Sequence, residues 1–270
     1  MNKGIIVCVS KKYYPYFSDY LNSIQNYIEF TIYLYDESLI TAKNKKEIQN
    51  YKVIIFVQYI PSCLTFTDEN LIFVLNTEQL SQKKWLNDIN SYQNIIDYSK
   101  GNIKLLKRDD IYYFPYGVNK NEIYNFNKQY DVCFVGNITN SNKRKSIISD
   151  LLSNGIKVNV IDNLYGEKRD QLLFKHKILL NIHFDENYKI YESFRCDRCI
   201  FNKMIVITEE SLDDKENILK DKLITCKYNT LVDTTIEILK NYNQYYQKIF
   251  GNYEEFMKEY QYKIKKIYGL

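Results

Sequence analysis

The chain has 270 residues, of which 45% are hydrophobic and 26% are charged. This composition is typical of globular proteins and excludes a wholly disordered or fibrous chain. The formal charge is only +4 and the pI is about 8.5, below the pI above about 9 that is typical of nucleic-acid-binding domains. We therefore expect no nucleic-acid partner and, at roughly 150 residues per domain, two modest domains.

The sequence also limits the compartment and the redox chemistry. It has no run of 18 or more apolar residues, which a membrane-spanning helix requires, and the apolar start 4–9 is too short for a signal peptide. We therefore expect a cytoplasmic protein with reduced cysteines. Cys196 and Cys199 form a CxxC pair, but a zinc site needs four ligands. We interpret the pair as two thiols one turn apart on a helix.

Only eight glycines occur in the chain, and the glycine-rich phosphate motifs of dinucleotide dehydrogenases and P-loop kinases are not present. Short apolar, β-branched runs instead alternate with longer polar runs of helical period, which is typical of βαβ units around a parallel sheet. The first series predicts a complete domain over 1–115. Its predicted strands are 4–9, 29–35, 52–58, 71–75, 93–97 and 111–114, and its predicted helices are 15–27, 42–50 and 81–89.

The pattern breaks at Pro115 and Gly117, because proline lacks the backbone N–H that a sheet uses. A polar stretch to Gln129 indicates a linker. The second series predicts a domain over 129–228 and a helical segment over 229–270. Its predicted strands are 131–135, 156–161, 177–182, 203–208 and 222–225, and its predicted helices are 143–153, 167–173, 191–201, 212–220 and a long stretch over 229–265.

Two consecutive α/β series predict two Rossmann-like domains that face each other across a cleft, with ligands bound at the carboxyl ends of the strands. Strand 131–135 ends at Gly136 and Asn137, and Lys143 and Arg144 open the next helix. A glycine lets a ligand approach the backbone, and a helix start attracts anions, so this segment predicts a phosphate site. The alternative is a polar loop whose Asn or Ser caps the helix while the basic side chains face water.

Two further strand ends carry candidate residues. Glu192 and Arg195 lie one turn apart on a predicted helix; the carboxylate can accept both hydroxyls of a ribose, and the guanidinium can bind a diphosphate. The alternative is an i, i+3 ion pair on a helix surface. Glu209 ends the next strand and is expected to face the cleft, whereas Ser211 and Asp214 have the spacing of a capping box and predict a helix start.

Several segments in a fixed order then carry a family resemblance. They are Asn76-Thr77-Glu78-Gln79-Leu80, Asp97-Tyr98-Ser99, Phe114 to Asn119, Val135-Gly136-Asn137 with Lys143-Arg144, Glu192-Ser193-Phe194-Arg195, and Asn202 to Glu209. The sequence resembles glycosyltransferases of the GT-B fold, close to the glycosyltransferase family 1-like proteins of bacteria and large DNA viruses that are related to CgeB-type spore-coat enzymes. The resembling segments span most of residues 70–215.

The resemblance implies an enzyme of EC class 2.4 that moves a sugar from a UDP- or GDP-linked donor to a glycan, lipid-linked or protein acceptor. It implies that Glu192 binds the ribose, that Lys143 and Arg144 approach the diphosphate, and that the first domain receives the acceptor. It also implies that the last helix packs back on the first domain; a membrane-surface role for that helix is not favoured. If the chain is viral, the resemblance places it in the host cytoplasm.

No metal cofactor is expected, because the chain lacks an obvious Asp-x-Asp motif and cations at a helix start can stabilise a leaving diphosphate. Two departures from the family matter. Many retaining relatives carry a glutamate eight positions before the one matching Glu192, where this chain has Phe184, so the stereochemistry stays open. Relatives often carry an arginine where this chain has Asn137, so the diphosphate contacts have to come from Lys143, Arg144 or Arg195.

An inverting enzyme needs a general base for the acceptor hydroxyl. Glu78 is the candidate in the first domain, with a helix cap as the alternative role. His183 is the candidate in the second domain, with a satisfied core histidine as the alternative. Two other functions remain open, a nucleotide-sugar epimerase of the same fold and a non-catalytic nucleotide- or glycan-binding module, and so does a homodimer.

Overall fold

The computed structural model describes residues 3–36, 40–66 and 69–269, and all structural statements concern these ranges. The chain divides into two compact units. The first comprises residues 1–117 together with 265–270, and the second comprises residues 118–264. Each unit is built on its own parallel sheet, as the alternating sequence pattern predicts.

The sheet of the first unit has the strand order β2-β1-β3-β4-β5-β6. Its strands are β1 (Lys3–Ser10), β2 (Thr31–Tyr35), β3 (Tyr51–Val57), β4 (Leu71–Asn76), β5 (Ile95–Asp97) and β6 (Tyr112–Tyr113). Its helices are α1 (Tyr14–Gln25), α2 (Ala42–Gln49), α3 (Lys83–Asn90) and α4 (Lys100–Leu106). Sequence analysis did not predict α4, a helix of seven residues whose N-cap Ser99 accepts hydrogen bonds from Gly101 N and Asn102 N.

The two faces of this sheet bury different sets of side chains, because successive residues of a strand point to opposite sides. Ile54 and Phe56 of β3 face a core that includes Ile48 of α2. On the other face, Val53 and Ile55 line an apolar cavity of about 230 Å³. The first unit therefore contains both a filled core and an apolar cavity, and both are lined by the same strand.

The sheet of the second unit has the strand order β11-β10-β9-β7-β8. Its strands are β7 (Tyr130–Val135), β8 (Val158–Ile161), β9 (His176–Asn181), β10 (Ile205–Glu209) and β11 (Leu223–Cys226). Its helices are α5 (Asn142–Ser153), α6 (Gly166–Leu173), α7 (Ser193–Phe201), α8 (Leu231–Lys240), α9 (Tyr242–Phe250) and α10 (Tyr253–Ile267). The chain passes from β7 to β8 on one side and then to β9 on the other, so the strand order reverses between β7 and β9.

The predicted helix over 212–220 is wrong. Residues 212–216 form turns, and a short 3-10 helix covers Lys220–Lys222. Ser211 N does donate to Asp214 Oδ2 at 2.9 Å, which is half of the predicted capping box. Asp213 Oδ1, however, accepts from Tyr191 N, and Asn217 Oδ1 accepts from Leu219 N. Such side chain to backbone bonds compete with helix formation.

The long predicted helix over 229–265 is three helices, α8 to α10. A Cβ at Gly251 would lie 2.6 Å from Gln247 O, so the backbone between α9 and α10 can take this path only with glycine. Helices α8 and α9 contact β10 of the second unit. The resemblance implied that this segment packs on the first domain, but only residues 265–270 group with the first unit, where Tyr268 packs on Phe114.

Candidate functional site

The candidate site lies in the second unit, at the carboxyl ends of β7, β9 and β10. Ligands of parallel α/β sheets bind where the strand order reverses, which here is between β7 and β9. The structure brings eight of the nine sequence-predicted site residues into the second unit: Gly136, Asn137, Lys143, Arg144, His183, Glu192, Arg195 and Glu209. The ninth, Glu78, lies in the first unit.

Gly136 and Asn137 shape the loop after β7. Gly136 has a φ of +123°, a conformation that favours glycine, and a Cβ at this position would lie 3.2 Å from Arg195 Nη2. The side chain of Asn137 donates to Asp162 Oδ2 at 3.2 Å and accepts from Asn140 N. Glycine at position 136 therefore lets Arg195 lie against the backbone. The side-chain amide of Asn137 stabilises the loop through these two hydrogen bonds.

Ser141 is the N-cap of α5, since its Oγ accepts a hydrogen bond from Arg144 N at 3.2 Å. The predicted serine cap is thus present, but the arginine after it does not face water. Arg144 is only 4% exposed, donates to Ile182 O and Asn137 O at 3.0 Å each, and lies 5.1 Å from the centre of the Phe134 ring. Burial, and next the nearby Arg195, lower the pKa of Arg144 to about 10.

Glu192 joins the two arginines of the site. Its Oε1 lies 3.5 Å from Arg144 Nη2 and its Oε2 lies 2.6 Å from Arg195 Nη2. Arg195 also donates to Asn181 Oδ1 at 2.9 Å. Glu192 is the N-cap residue of α7, whereas the predicted helix over 191–201 would include it. The Glu192 and Arg195 side chains are 16% and 15% exposed, so this is not an ion pair on an open helix surface.

Lys143 is held by two carboxylates. Its Nζ lies 2.5 Å from Glu209 Oε1 and 2.9 Å from Glu186 Oε1, and 4.8 Å from the centre of the Tyr228 ring. Burial lowers the pKa of Lys143, but the hydrogen bonds to Glu209 and Glu186 outweigh it and raise this pKa above its ordinary value. Lys143 is therefore a cation whose charge is compensated in the structure as it stands.

His183 follows β9 and is 2% exposed. Its backbone N donates to Glu209 Oε2 at 3.2 Å, and its Nε2 lies 3.2 Å from both Glu210 O and Ser211 Oγ. Among the described residues its Nδ1 has no hydrogen-bond partner. The expectation of a satisfied core histidine therefore holds for one ring nitrogen and is wrong for the other.

Glu78 follows β4 in the first unit and belongs to a network of side-chain amides and carboxyls that are joined by hydrogen bonds. Its Oε1 accepts from Gln58 Nε2 at 2.7 Å, and its backbone O accepts from Asn102 Nδ2 at 2.9 Å. Burial raises the pKa of Glu78, and the bond from Gln58 partly offsets this. The side chain binds Gln58 and is not the cap of α3, whose N-cap residue is Gln82.

Sequence analysis missed four residues that build the site. Asn181 ends β9 and could have been found by the rule that strand ends carry function. Glu186 lies in the loop after β9, where its position beside Lys143 depends on the folded unit. Ser141 was covered only by the general expectation of a cap, and Tyr228, which donates to Lys143 O at 3.0 Å, gave no signal because tyrosine is common throughout the chain.

Within residues 3–36, 40–66 and 69–269, no three His, Cys, Asp or Glu side chains are arranged to hold a metal ion. None of the helices there combines the length and hydropathy that crossing a bilayer requires. All six cysteines are free, with Cys196 and Cys199 both buried in α7, as the interpretation of the CxxC pair predicts.

No family model matches the chain. Its sequence is 37% identical over 244 residues to uncharacterized protein L140 of Acanthamoeba polyphaga mimivirus, a match that covers 85% of this chain and 78% of that protein. The chain belongs to the family of this mimivirus protein. It is also 35% identical over 263 residues to uncharacterized protein L138 of the same virus, but spans only 29% of that longer protein. The CgeB-like subgroup stays a prediction.

Solved structures show the fold. The structure of Anabaena HepE in complex with UDP and glucose matches with a TM-score of 0.71 at 9% identity, covering 98% of this chain and 97% of that one. An α1,3-fucosyltransferase with GDP-fucose matches with a TM-score of 0.54 at 12% identity, covering 93% and 82%. The chain therefore has the two-sheet α/β architecture of GT-B glycosyltransferases, as the resemblance implied.

Proposed function

We propose that this chain is a glycosyltransferase that moves a sugar from a UDP- or GDP-linked donor to a glycan, lipid-linked or protein acceptor. The observation that carries the proposal is the pair of guanidiniums, Arg144 and Arg195, that share the single carboxylate of Glu192. They lie where the strand order of the second sheet reverses.

Two cations that share one carboxylate concentrate positive charge in a largely buried place. Such an arrangement is costly as a purely structural device, and it is what a bound anion would relieve. Arginine binds phosphate oxygens with two parallel hydrogen bonds, and the start of α5 adds backbone N–H groups and a helix dipole. A diphosphate placed against Gly136, Arg144 and Arg195 would meet all of these groups.

The remaining parts of a donor would find partners along the same edge of the sheet. Glu192, at the start of α7, can accept the two hydroxyls of the ribose. Two of the similar structures are complexes with UDP and glucose and with GDP-fucose, which supports a nucleoside diphosphate of this kind. These structures are only 9% and 12% identical to this chain, so they establish its fold, and we propose its donor from the side chains at the site.

In the transfer step, the bond between the anomeric carbon and the diphosphate oxygen breaks, and the acceptor oxygen bonds to that carbon. The acceptor proton passes to a base, for which Glu78 and His183 are the candidates. Arg144, Arg195 and Lys143 would stabilise the leaving diphosphate, so we propose that no metal is required. Lys143 can take this role once phosphate replaces Glu186 or Glu209 as its partner.

A panel of UDP-, GDP- and dTDP-sugars with released nucleoside diphosphate as the readout tests the proposal. Transfer, or slow donor hydrolysis, accompanied by nucleoside diphosphate release is the expected result. Interconversion of sugars without release would identify an epimerase instead. Binding without any turnover would identify a non-catalytic nucleotide- or glycan-binding module.

A further inference from the structure

A pocket of about 260 Å³ adjoins Lys143 in the second unit. It is formed by residues after β9 and at the end of β10, with Lys143 of α5 at its side. Four acidic and two basic residues line it: Asp185, Glu186, Glu209, Glu210, Lys143 and Lys189. Its lining is therefore more negative than positive, which is opposite to the arginine pair next to it.

The two lysines do not reverse that sign, because four carboxylates line the same pocket. The Nζ of Lys143 is already bonded to Glu209 and Glu186 within the same lining, so its charge is matched there. A second diphosphate would be repelled by the remaining carboxylates. The occupant that fits this pocket is positively charged or rich in hydrogen-bond donors.

His183 gives an independent reason to expect a donor. Its Nε2 lies 3.2 Å from both the Glu210 carbonyl and Ser211 Oγ. A carbonyl only accepts, and the Ser211 hydroxyl donates to Glu209 O, so we place the proton of the neutral ring on Nε2, which makes Nδ1 an acceptor. That Nδ1 has no hydrogen-bond partner among the described residues, although His183 is 2% exposed and lines the pocket. A buried acceptor without a partner is destabilising, and a ligand that donates there would remove the defect.

The geometry does not support a metal ion as that ligand, since no three ligating side chains converge in the described ranges. We propose instead that the pocket receives a free amino group carried by the donor sugar. This inference rests on the proposed function: a diphosphate bound at Arg144 would lie beside Lys143, which precedes Arg144 in α5 and lines the pocket, so we assign the sugar of the donor to this pocket. An ammonium group has three N–H donors and a positive charge, which match the free acceptor and the excess of carboxylates.

The test compares donors that differ only in acetylation of the amine, because acetylation removes the charge and two donors. Calorimetry measures UDP-glucosamine against UDP-N-acetylglucosamine, and a UDP-sugar with a 4-amino group against its N-acetyl form. The same pairs on GDP are used if GDP binds more tightly than UDP. In at least one pair the free amine should bind about tenfold more tightly, and this preference should fall as salt is added.

Equal or tighter binding of both acetylated forms, with the bare nucleotide still bound, would overturn the inference and leave the proposed function intact. No binding of UDP or GDP at all would overturn the proposed function itself. The two failures are therefore distinguishable in one titration series.

The variant Glu210→Gln tests whether the preference for the free amine arises in this pocket. Glu210 has an exposed side chain, so Glu210→Gln keeps its shape and should fold normally. The preference for the free amine should drop to below about threefold, whereas affinity for the bare nucleotide should change by less than about twofold. Glu167→Gln, at an exposed carboxylate on α6 that binds Gln171, is the matched control and should keep the tenfold preference. A tenfold preference retained in Glu210→Gln would place the amine elsewhere and overturn the assignment.

Discussion

The carboxyl ends of the two sheets carry polar side chains of different kinds. At the end of the second sheet, Arg144, Glu192 and Arg195 form a cluster of charges joined by ion pairs. At the end of the first sheet, the Asp97 carboxyl is bonded to the side-chain amides of Asn76 and Asn102 at 2.6 and 3.1 Å. The second unit thus carries two guanidiniums that share one carboxylate at this edge, whereas the Asp97, Asn76 and Asn102 side chains of the first unit are fully buried and bonded to one another.

The largest expected effect is on turnover, and it distinguishes the two edges, because Glu78 of the first unit is proposed to act in transfer and not in nucleotide binding. Glu78→Gln removes the candidate base of the first unit while keeping its size and its place beside Gln58. Turnover with a sugar acceptor should fall about 100-fold or more, because general-base catalysis contributes on that scale. Nucleotide affinity should stay unchanged, since Glu78 is not in the second unit. A variant with full turnover would remove Glu78 from the mechanism and point to His183.

The next effect belongs to the second edge. Arg195→Met keeps an unbranched side chain but removes the guanidinium, which should weaken UDP or GDP binding about 30-fold, equivalent to about 2 kcal/mol for a charge-assisted contact. Arg108→Met is the matched control, because that guanidinium pairs with Asp110 in the first unit and its loss should leave nucleotide affinity unchanged. Equal effects of the two substitutions would show that Arg195 has no specific role.

A smaller effect is expected for the ribose contact. Glu192→Gln keeps the hydrogen-bonding shape but removes the charge that both arginines share. Nucleotide binding should weaken about tenfold, and binding of inorganic pyrophosphate, which has no ribose, should be unchanged or tighter because the two cations lose their protein partner. Equal weakening for both ligands would assign Glu192 to the arrangement of the arginines and not to the ribose.

The smallest expected effect is a shift of the pH–rate profile. Burial raises the pKa of Glu78 and the Gln58 hydrogen bond lowers it, so the base is active only above a pKa that is higher than usual for a glutamate. Turnover should therefore rise with pH through that pKa. Gln58→Asn removes the bond and suits the left-handed backbone at this position, where φ is 72°. The acid limb of the pH–rate profile should move to higher pH; a move to lower pH would contradict the assignment.

Removal of metal ions is expected to leave turnover unchanged. If the arginines and Lys143 stabilise the leaving diphosphate, EDTA should leave turnover unchanged within about twofold. A loss of activity that added Mg²⁺ or Mn²⁺ restores would show that the cations of the second unit are not sufficient.

The sequence predicted the sheet architecture because strand and helix periods are local properties of the chain. It also indicated the charged edge, since side chains that follow neighbouring parallel strands must meet at one edge. The partners of Lys143 were not predictable in this way, because Glu186 reaches it from the loop after β9 and Glu209 from the last position of β10, and both contacts depend on the packing of the whole unit. The turns at 212–216 escaped prediction for a related reason, since Asp213 bonds to Tyr191, a residue distant in the chain.

The central claim is that the reversal point between β7 and β9 recognises a diphosphate. Calorimetric titration of the chain with UDP and GDP against UMP and GMP tests it most directly. The account predicts micromolar binding of at least one diphosphate, at least about tenfold tighter than its monophosphate, with the difference lost in Arg195→Met. Equal affinity for mono- and diphosphates, or no binding of either, would contradict it.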